Sequence, residues 1–272
     1  MDHLSYYGLN QEPFSIMPLT QFYYHNEQHD QAQMRLTRVI QGMKGLGLLV
    51  GDVGTGKSLL ARRLLESLPE EEYEVSLLVV LHRDVDSDWL VRRIATQFGI
   101  ECGNESKVDV IAKLYHRLEE LAEAGKKAAI LIDEAHMLNN QEVLEEIRGL
   151  LNFDFNDQKL LSFVLFGLPE LDKTIQLDEP LAHRVAVRNE LKNFSKELML
   201  DYIRFRVLNS GSSQQLFSDE ALTKIFALTK GNGRRINVIC DNALFEGFVR
   251  KSSLPLPVDV IESVGADLRL EV

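Results

Sequence analysis

Two hydrophobic rhythms alternate along the first 193 residues. Short runs of consecutive apolar residues occur as GLGLLVG at 45–51, EVSLLVVL at 74–81, AAILID at 128–133 and LLSFVLF at 160–166. Between them, apolar positions recur every three to four residues. The continuous runs suit strands buried on both faces, and the wider spacing suits amphipathic helices. Helices are expected over 28–43, 57–67, about 86–98 with Asp86 or Ser87 as cap, 140–152, and from Pro169 onward. A further helix is expected over 107–124, where Val110, Ile111, Leu114, Leu118 and Leu121 share one face. VAVRNEL at 185–191 reads as a fifth strand. The alternation predicts βαβ units around a parallel sheet, an α/β fold.

After residue 193 the strand-like runs stop. Residues 195–208, 218–229, 234–249 and 257–264 read as helices with no strand between them. Residues 1–27 follow neither rhythm. They carry Tyr6, Tyr7, Phe14, Phe22, Tyr23 and Tyr24 around Pro13 and Pro18, a mixture that resists a regular helix and suits a segment wrapped over a core. The expected organisation is an N-terminal segment, 1–27, an α/β core, 28–193, and a helical domain, 194–272.

Composition narrows the function classes. With 45% hydrophobic and 26% charged residues, the 272-residue chain is an ordinary globular protein, which excludes a disordered chain, a collagen-like fibre and a disulfide scaffold. The net charge of −11 argues against a surface built to grip nucleic acid everywhere. Residues 196–251 hold nine basic and six acidic residues, so a local basic bias leaves nucleic acid open as a less favoured partner. Cys102 and Cys240 form no Cys-x-x-Cys pair and read as reduced thiols. The N-terminus lacks a basic start followed by an apolar run, and no stretch approaches 18 apolar residues, so the chain is expected in the cytoplasm without membrane insertion of its own.

The strongest chemical signal follows the first apolar run. Gly51-Asp52-Val53-Gly54-Thr55-Gly56-Lys57-Ser58 matches G-x-x-x-x-G-K-[ST], with Leu59 continuing into a predicted helix. Glycines let a backbone curl around a phosphate with its N–H groups inward, and the helix start adds partial positive charge. Lys57 then neutralises the β and γ phosphates, and the Ser58 hydroxyl ligates Mg²⁺. A chance match in a chain this long is on the order of 1%. The run 128–133 ends in a second signal, Asp133-Glu134. In a nucleotide-binding α/β fold, Asp133 is expected to hold Mg²⁺ through water and Glu134 to act as general base on the attacking water. His136 follows as a loop residue. The fourth run ends at Gly167-Leu168 without a polar side chain, and Ser162 lies deeper in the strand. Arg184 and Arg188 flank the fifth strand. They are either an arginine finger for a neighbouring subunit's γ-phosphate or surface arginines paired with local acids. Arg234, opening a helix of the last domain, is a candidate to reach a bound nucleotide across the domain cleft, or else a solvated helix-start arginine.

These parts in this order resemble an AAA+ ATPase. That resemblance implies a P-loop NTPase of the ASCE kind, with a five-stranded parallel sheet of order 5-1-4-3-2 and a C-terminal helical lid. Tyr6-Tyr7-Gly8-Leu9, Glu12-Pro13-Phe14-Ser15, Gly167-Leu168-Pro169-Glu170-Leu171, the Arg184–Leu191 stretch and Arg234–Cys240 are similar to the ExeA/GspA-type secretion ATPases and the MshM-type pilus-biogenesis ATPases. By that resemblance Arg234 is the lid sensor, Arg184 and Arg188 lie in the finger region, and the N-terminal segment wraps the nucleotide site with Leu9 and Phe14 beside the adenine. ATP or ADP with Mg²⁺ are the implied cofactors. The implied partners are further copies in a ring or filament and secretion or pilus assembly proteins, with recruitment to the inner membrane through a partner. ExeA-type proteins continue into a membrane span and a periplasmic module, so the chain is either a stand-alone member or the cytoplasmic part of a longer protein. Two alternatives stay open: a DNA-binding AAA+ regulator of the transposition type, and a nucleotide-gated scaffold with little turnover.

Overall fold

The computed structural model describes residues 2–17 and 20–270, so Pro18 lies outside the described residues. By contact the chain falls into two compact units. One comprises His25–Asp52 and Lys57–Leu191, and the other comprises Met1–Tyr24, Val53–Gly56 and Lys192–Val272.

The first unit is α/β. Its strands are β1 (Leu46–Gly51), β2 (Tyr73–Val79), β3 (Lys127–Asp133), β4 (Leu161–Gly167) and β5 (Val185–Leu191), ordered β2-β3-β4-β1-β5. Every neighbouring pair is parallel, with Leu48 opposite Leu165 and Ile130 opposite Phe163 in register. Read from the other edge the order is 5-1-4-3-2, the doubly covered sheet that the apolar runs and the resemblance imply. The inner strands β1 and β4 are buried throughout, and β3 is buried except at Lys127. On the edge strand β5, exposed and half-buried positions alternate up to Leu191. β2, the other edge, ends at Val79 rather than at 81. Its neighbour β3 ends at Asp133, whose carbonyl takes the Val80 N–H at 3.1 Å, and Leu81 beyond has no strand to pair with and is 82% exposed.

Six helices follow the predicted apolar stripes: α1 (Glu27–Gln41), α2 (Lys57–Glu66), α3 (Ser87–Gln97), α4 (Lys107–Glu123), α5 (Gln141–Leu150) and α6 (Pro169–Leu177). Their starts are chemically marked. The side chains of Asn26, Asp86 and Asn140 accept first-turn N–H bonds, Ser106 and Asp109 form a capping box, and Pro169 takes the first turn of α6. Leu114, Leu118, Ile130, Ile147, Phe163 and Leu165 belong to one buried cluster. A small hairpin of Asp154–Phe155 with Gln158–Lys159 was not legible as strands. Asn156 and Asp157 turn it with φ of 50° and 61°, the pair of positive angles that a tight hairpin turn requires.

The second unit is helical: α7 (Lys196–Asn209), α8 (Asp219–Thr229), α9 (Gly233–Arg250) and α10 (Val258–Asp267). Ser195, Ser218 and Asn232 cap the first three. One isolated parallel bridge, Phe217 with Leu256, interrupts the strand-free expectation. Within this unit the N-terminal segment is part of the core. Tyr7 is fully buried and its hydroxyl donates to the Leu244 carbonyl at 2.8 Å, while Phe14 packs near Phe217 with ring centroids 6.2 Å apart.

Arg206 fastens this segment. Its side chain is buried, donates to the carbonyls of Pro13 and of Ser15 (3.0 Å), and lies 4.3 Å from the Phe22 ring centroid. Arg206→Ala leaves both carbonyls without this donor, at about 1–3 kcal/mol for each buried group left unpaired. The expected result is a melting point several degrees lower. Arg206→Lys recovers little of it, because an ammonium lacks the planar fork that reaches both carbonyls while lying flat over the ring. An unchanged thermal melt for both variants would contradict this role.

Candidate functional site

In a parallel sheet the strands end on one edge, and loops leaving that edge collect functional groups. β1 ends at Gly51, β3 at Asp133 and β4 at Gly167, so the start of the phosphate-loop motif, the acidic pair and the Gly167 tip all belong to this edge. Lys57 opens α2 and is only 7% exposed. Its Nζ donates to the carbonyls of Gly51 at 2.7 Å and Asp52 at 2.9 Å, so the ammonium is held against the start of its own loop. Burial pulls its pKa below the ordinary lysine range, opposed by the negative charges of Glu134, then Asp133 and Asp52. A desolvated cation with neutral partners is poised to gain from an arriving anion. Ser58 and Leu59 follow it half-buried in the first turn of α2.

Asp133 is 5% exposed, and its Oδ1 accepts the Glu134 N–H at 2.9 Å. Glu134 sits at φ 55°, ψ 32°, the left-handed region that non-glycine residues seldom occupy. That angle ends the strand and starts a single 3-10 turn, Ala135–Met137. The Glu134 carboxylate is 42% exposed, with its Oε2 3.4 Å from His136 Nδ1. His136 differs from the expected loop residue, since its side chain is only 9% exposed. Ser58 and Asp133 are hard oxygen donors of the kind that suits Mg²⁺ held jointly with water and phosphate. No cluster of three or more His, Cys, Asp or Glu side chains that could cage a metal alone occurs among the described residues.

Val53–Gly56 of the motif belong by contact to the helical unit, and residues at the start of α9 hold them. Asn232 Nδ2 donates to the Val53 carbonyl at 2.7 Å, and the Arg234 N–H to the Gly54 carbonyl at 3.3 Å. Gly54 has φ +85°, and a Cβ there would stand 2.5 Å from Asn232 Oδ1 and 2.7 Å from Arg234 Cβ. Only glycine satisfies both the angle and the approach. Arg234 therefore lies beside the loop through its backbone, with an exposed side chain. Asn232 was missed in the sequence. It caps α9, with its Oδ1 accepting from Arg235 N at 3.1 Å, and nothing local in the sequence reveals a second bond to residue 53.

Two placements differ from expectation. Arg188 stands inside β5 opposite Leu48 rather than flanking the strand, and its guanidinium is ion-paired with Asp172 and reaches the Ala182 carbonyl at 3.4 Å. Arg184 does precede the strand, and its carbonyl takes the Leu46 N–H. Leu9 and Phe14, expected beside adenine, are 5% and 0% exposed within the helical unit's core, where their apolar surface is already used. At the β4 tip, a Cβ on Gly167 would lie 2.7 Å from Leu171 Cδ2 and 3.1 Å from the His136 backbone N, so the missing polar side chain there is sterically enforced. Ser162 is fully buried in β4.

Among known proteins, a family model described as an AAA domain matches residues 40–175, half of the chain and the span that carries both motifs. General secretion pathway protein A of Aeromonas hydrophila is 35% identical over 255 residues, covering 92% of this chain. The chain spans 46% of that relative's length. Among solved structures, the ORC2 protein of Aeropyrum pernix, in ADPNP–ADP complexes, superposes with a TM-score of 0.70 at 14% identity, over 95% of this chain and 72% of that one. Cdc6p of Pyrobaculum aerophilum gives 0.64 at 16% identity, over 88% of this chain and 66% of that one. At these identities the two structures share the fold alone. No helix among the described residues is long and apolar enough to cross a membrane. The matched span holds both the phosphate-loop motif and the acidic strand end, and the chain belongs to the AAA domain family.

Proposed function

We propose that the chain binds ATP with Mg²⁺, hydrolyses it, and uses the cycle to drive assembly of an envelope machine, a secretion system or a type IV-like pilus. The observation that carries the chemistry is the buried Lys57 ammonium, held by the Gly51 and Asp52 carbonyls and under the negative charges of Glu134, Asp133 and Asp52. The envelope role is supported by likeness to a relative named for a secretion pathway.

Main-chain N–H groups of Gly54–Ser58 bind the phosphates, and Lys57 leaves its carbonyl partners to neutralise the β and γ groups. Ser58 and Asp133 would hold the metal, whose charge would neutralise the transferring phosphoryl group. Glu134 orients a water and accepts its proton, while Asn232 and Arg234 fix the loop's shape. Arg184 is the better finger candidate, because Arg188 is already paired. A finger acts only on a neighbouring copy, so turnover is expected to rise with self-association into a ring or filament.

Phosphate release from ATP by the purified chain tests this reading. Turnover that requires Mg²⁺ and disappears with excess chelator is the expected result. Tight nucleotide binding without turnover would instead favour a nucleotide-gated scaffold.

A further inference from the structure

Glu134 and His136 form a unit that the phosphate-loop logic does not use. The left-handed turn at Glu134 folds the chain back at once, so the side chains of residues 134 and 136 meet: Glu134 Oε2 lies 3.4 Å from His136 Nδ1. The His136 side chain is nine-tenths buried, and its Nδ1 has no hydrogen-bond partner among the described residues. A buried polar atom without a partner is costly, and such atoms call for an explanation. The nearby carboxylate is the only half of the pair with freedom to move, being 42% exposed. A small rotation about its side-chain torsions would shorten the contact to hydrogen-bond length.

The neighbouring strand adds a second observation. β4 pairs with β3, and its last residue, Gly167, has no room for a side chain because the His136 backbone N and Leu171 already crowd the Cβ position. β4 therefore contributes no polar side chain at the catalytic edge, and the turn that excludes one brings its own imidazole to Glu134. We propose that His136 is the positioning residue for Glu134: with the proton on Nδ1 it donates to the carboxylate and fixes the direction in which Glu134 faces the attacking water. This rests on the reading of Glu134 as general base.

The test compares steady-state ATP turnover and equilibrium ATP affinity in the full chain for wild type, His136→Leu, His136→Asn, Glu134→Gln and the double variant Glu134→Gln/His136→Leu. Leu fills the space without a donor. The Asn amide nitrogen stands near the position of Nδ1 and can donate. His136→Leu is expected to lower kcat about 10- to 100-fold, the scale of a misplaced catalytic group, with KM and ATP affinity within about twofold. His136→Asn is expected to return to within about threefold of wild type. In the Glu134→Gln background the Leu substitution is expected to have no further effect. Wild-type turnover in His136→Leu, equal losses in the Leu and Asn variants, or a loss of ATP affinity matching the loss of kcat would each overturn the proposal while leaving the ATPase reading intact. No turnover in wild type, or full turnover in Glu134→Gln, would remove the general-base reading and the role of His136 with it.

Discussion

Lys57→Ala is expected to weaken nucleotide binding by roughly 30-fold or more while changing the stability of the unliganded protein little. Lys57 is buried, and its two hydrogen bonds go to neutral carbonyls at 2.7 and 2.9 Å. Desolvation disfavours its charge, as the lowered pKa records. Removing the side chain removes that cost, and with it two hydrogen bonds and the attraction of Glu134, Asp133 and Asp52, so loss and gain largely offset in the free protein. The complex has much to lose, because truncating one partner of a buried charge pair costs about 2–5 kcal/mol, roughly 30-fold or more in affinity. A thermal melt with and without ATP separates the two effects. At about 100 times Kd, ATP should stabilise wild type by about 2.7 kcal/mol, and the variant at the same concentration by less than about 1 kcal/mol. A variant that melts early without nucleotide, yet gains as much from ATP as wild type, would assign Lys57 to folding instead.

Glu134→Gln should retain nucleotide and lose turnover by about 10²–10⁴-fold, the usual share of a general base. The substitution keeps size and hydrogen-bonding shape, so the left-handed turn at residue 134 is preserved. It also deletes the strongest of the negative charges acting on Lys57. A triphosphate entering the site then meets less repulsion, and affinity should be equal or higher. The paired measurement is single-turnover hydrolysis beside equilibrium binding. Unchanged hydrolysis would require another base, and a large loss of affinity would mean that Glu134 shapes the loop rather than the chemistry.

The catalytic edge was legible in the sequence because its signals are local. Gly51–Ser58 and Asp133-Glu134 are contiguous, and each follows a continuous apolar run that only a doubly covered strand explains. The sheet order followed from the resemblance, not from the periodicity. What stayed hidden depends on partners far along the chain. Asn232 caps α9 and also binds Val53, 179 positions away. Arg206 carries no local mark in the sequence, yet it holds the carbonyls of Pro13 and Ser15. Phe14 looks available to an aromatic ligand, but the core around Phe217 takes its whole surface. The crowding at Gly167 depends on the turn at Glu134, and a backbone angle of that kind leaves no trace in composition.

The most direct test of the central claim is a calorimetric titration of the purified full chain with ATP in the presence of Mg²⁺. A saturable isotherm with about one site per chain, weakened roughly 30-fold or more in Lys57→Ala and displaced by ADP, is the predicted result. A flat titration up to millimolar ATP with the folded wild-type chain, or an isotherm unchanged by removal of Lys57, would contradict the account.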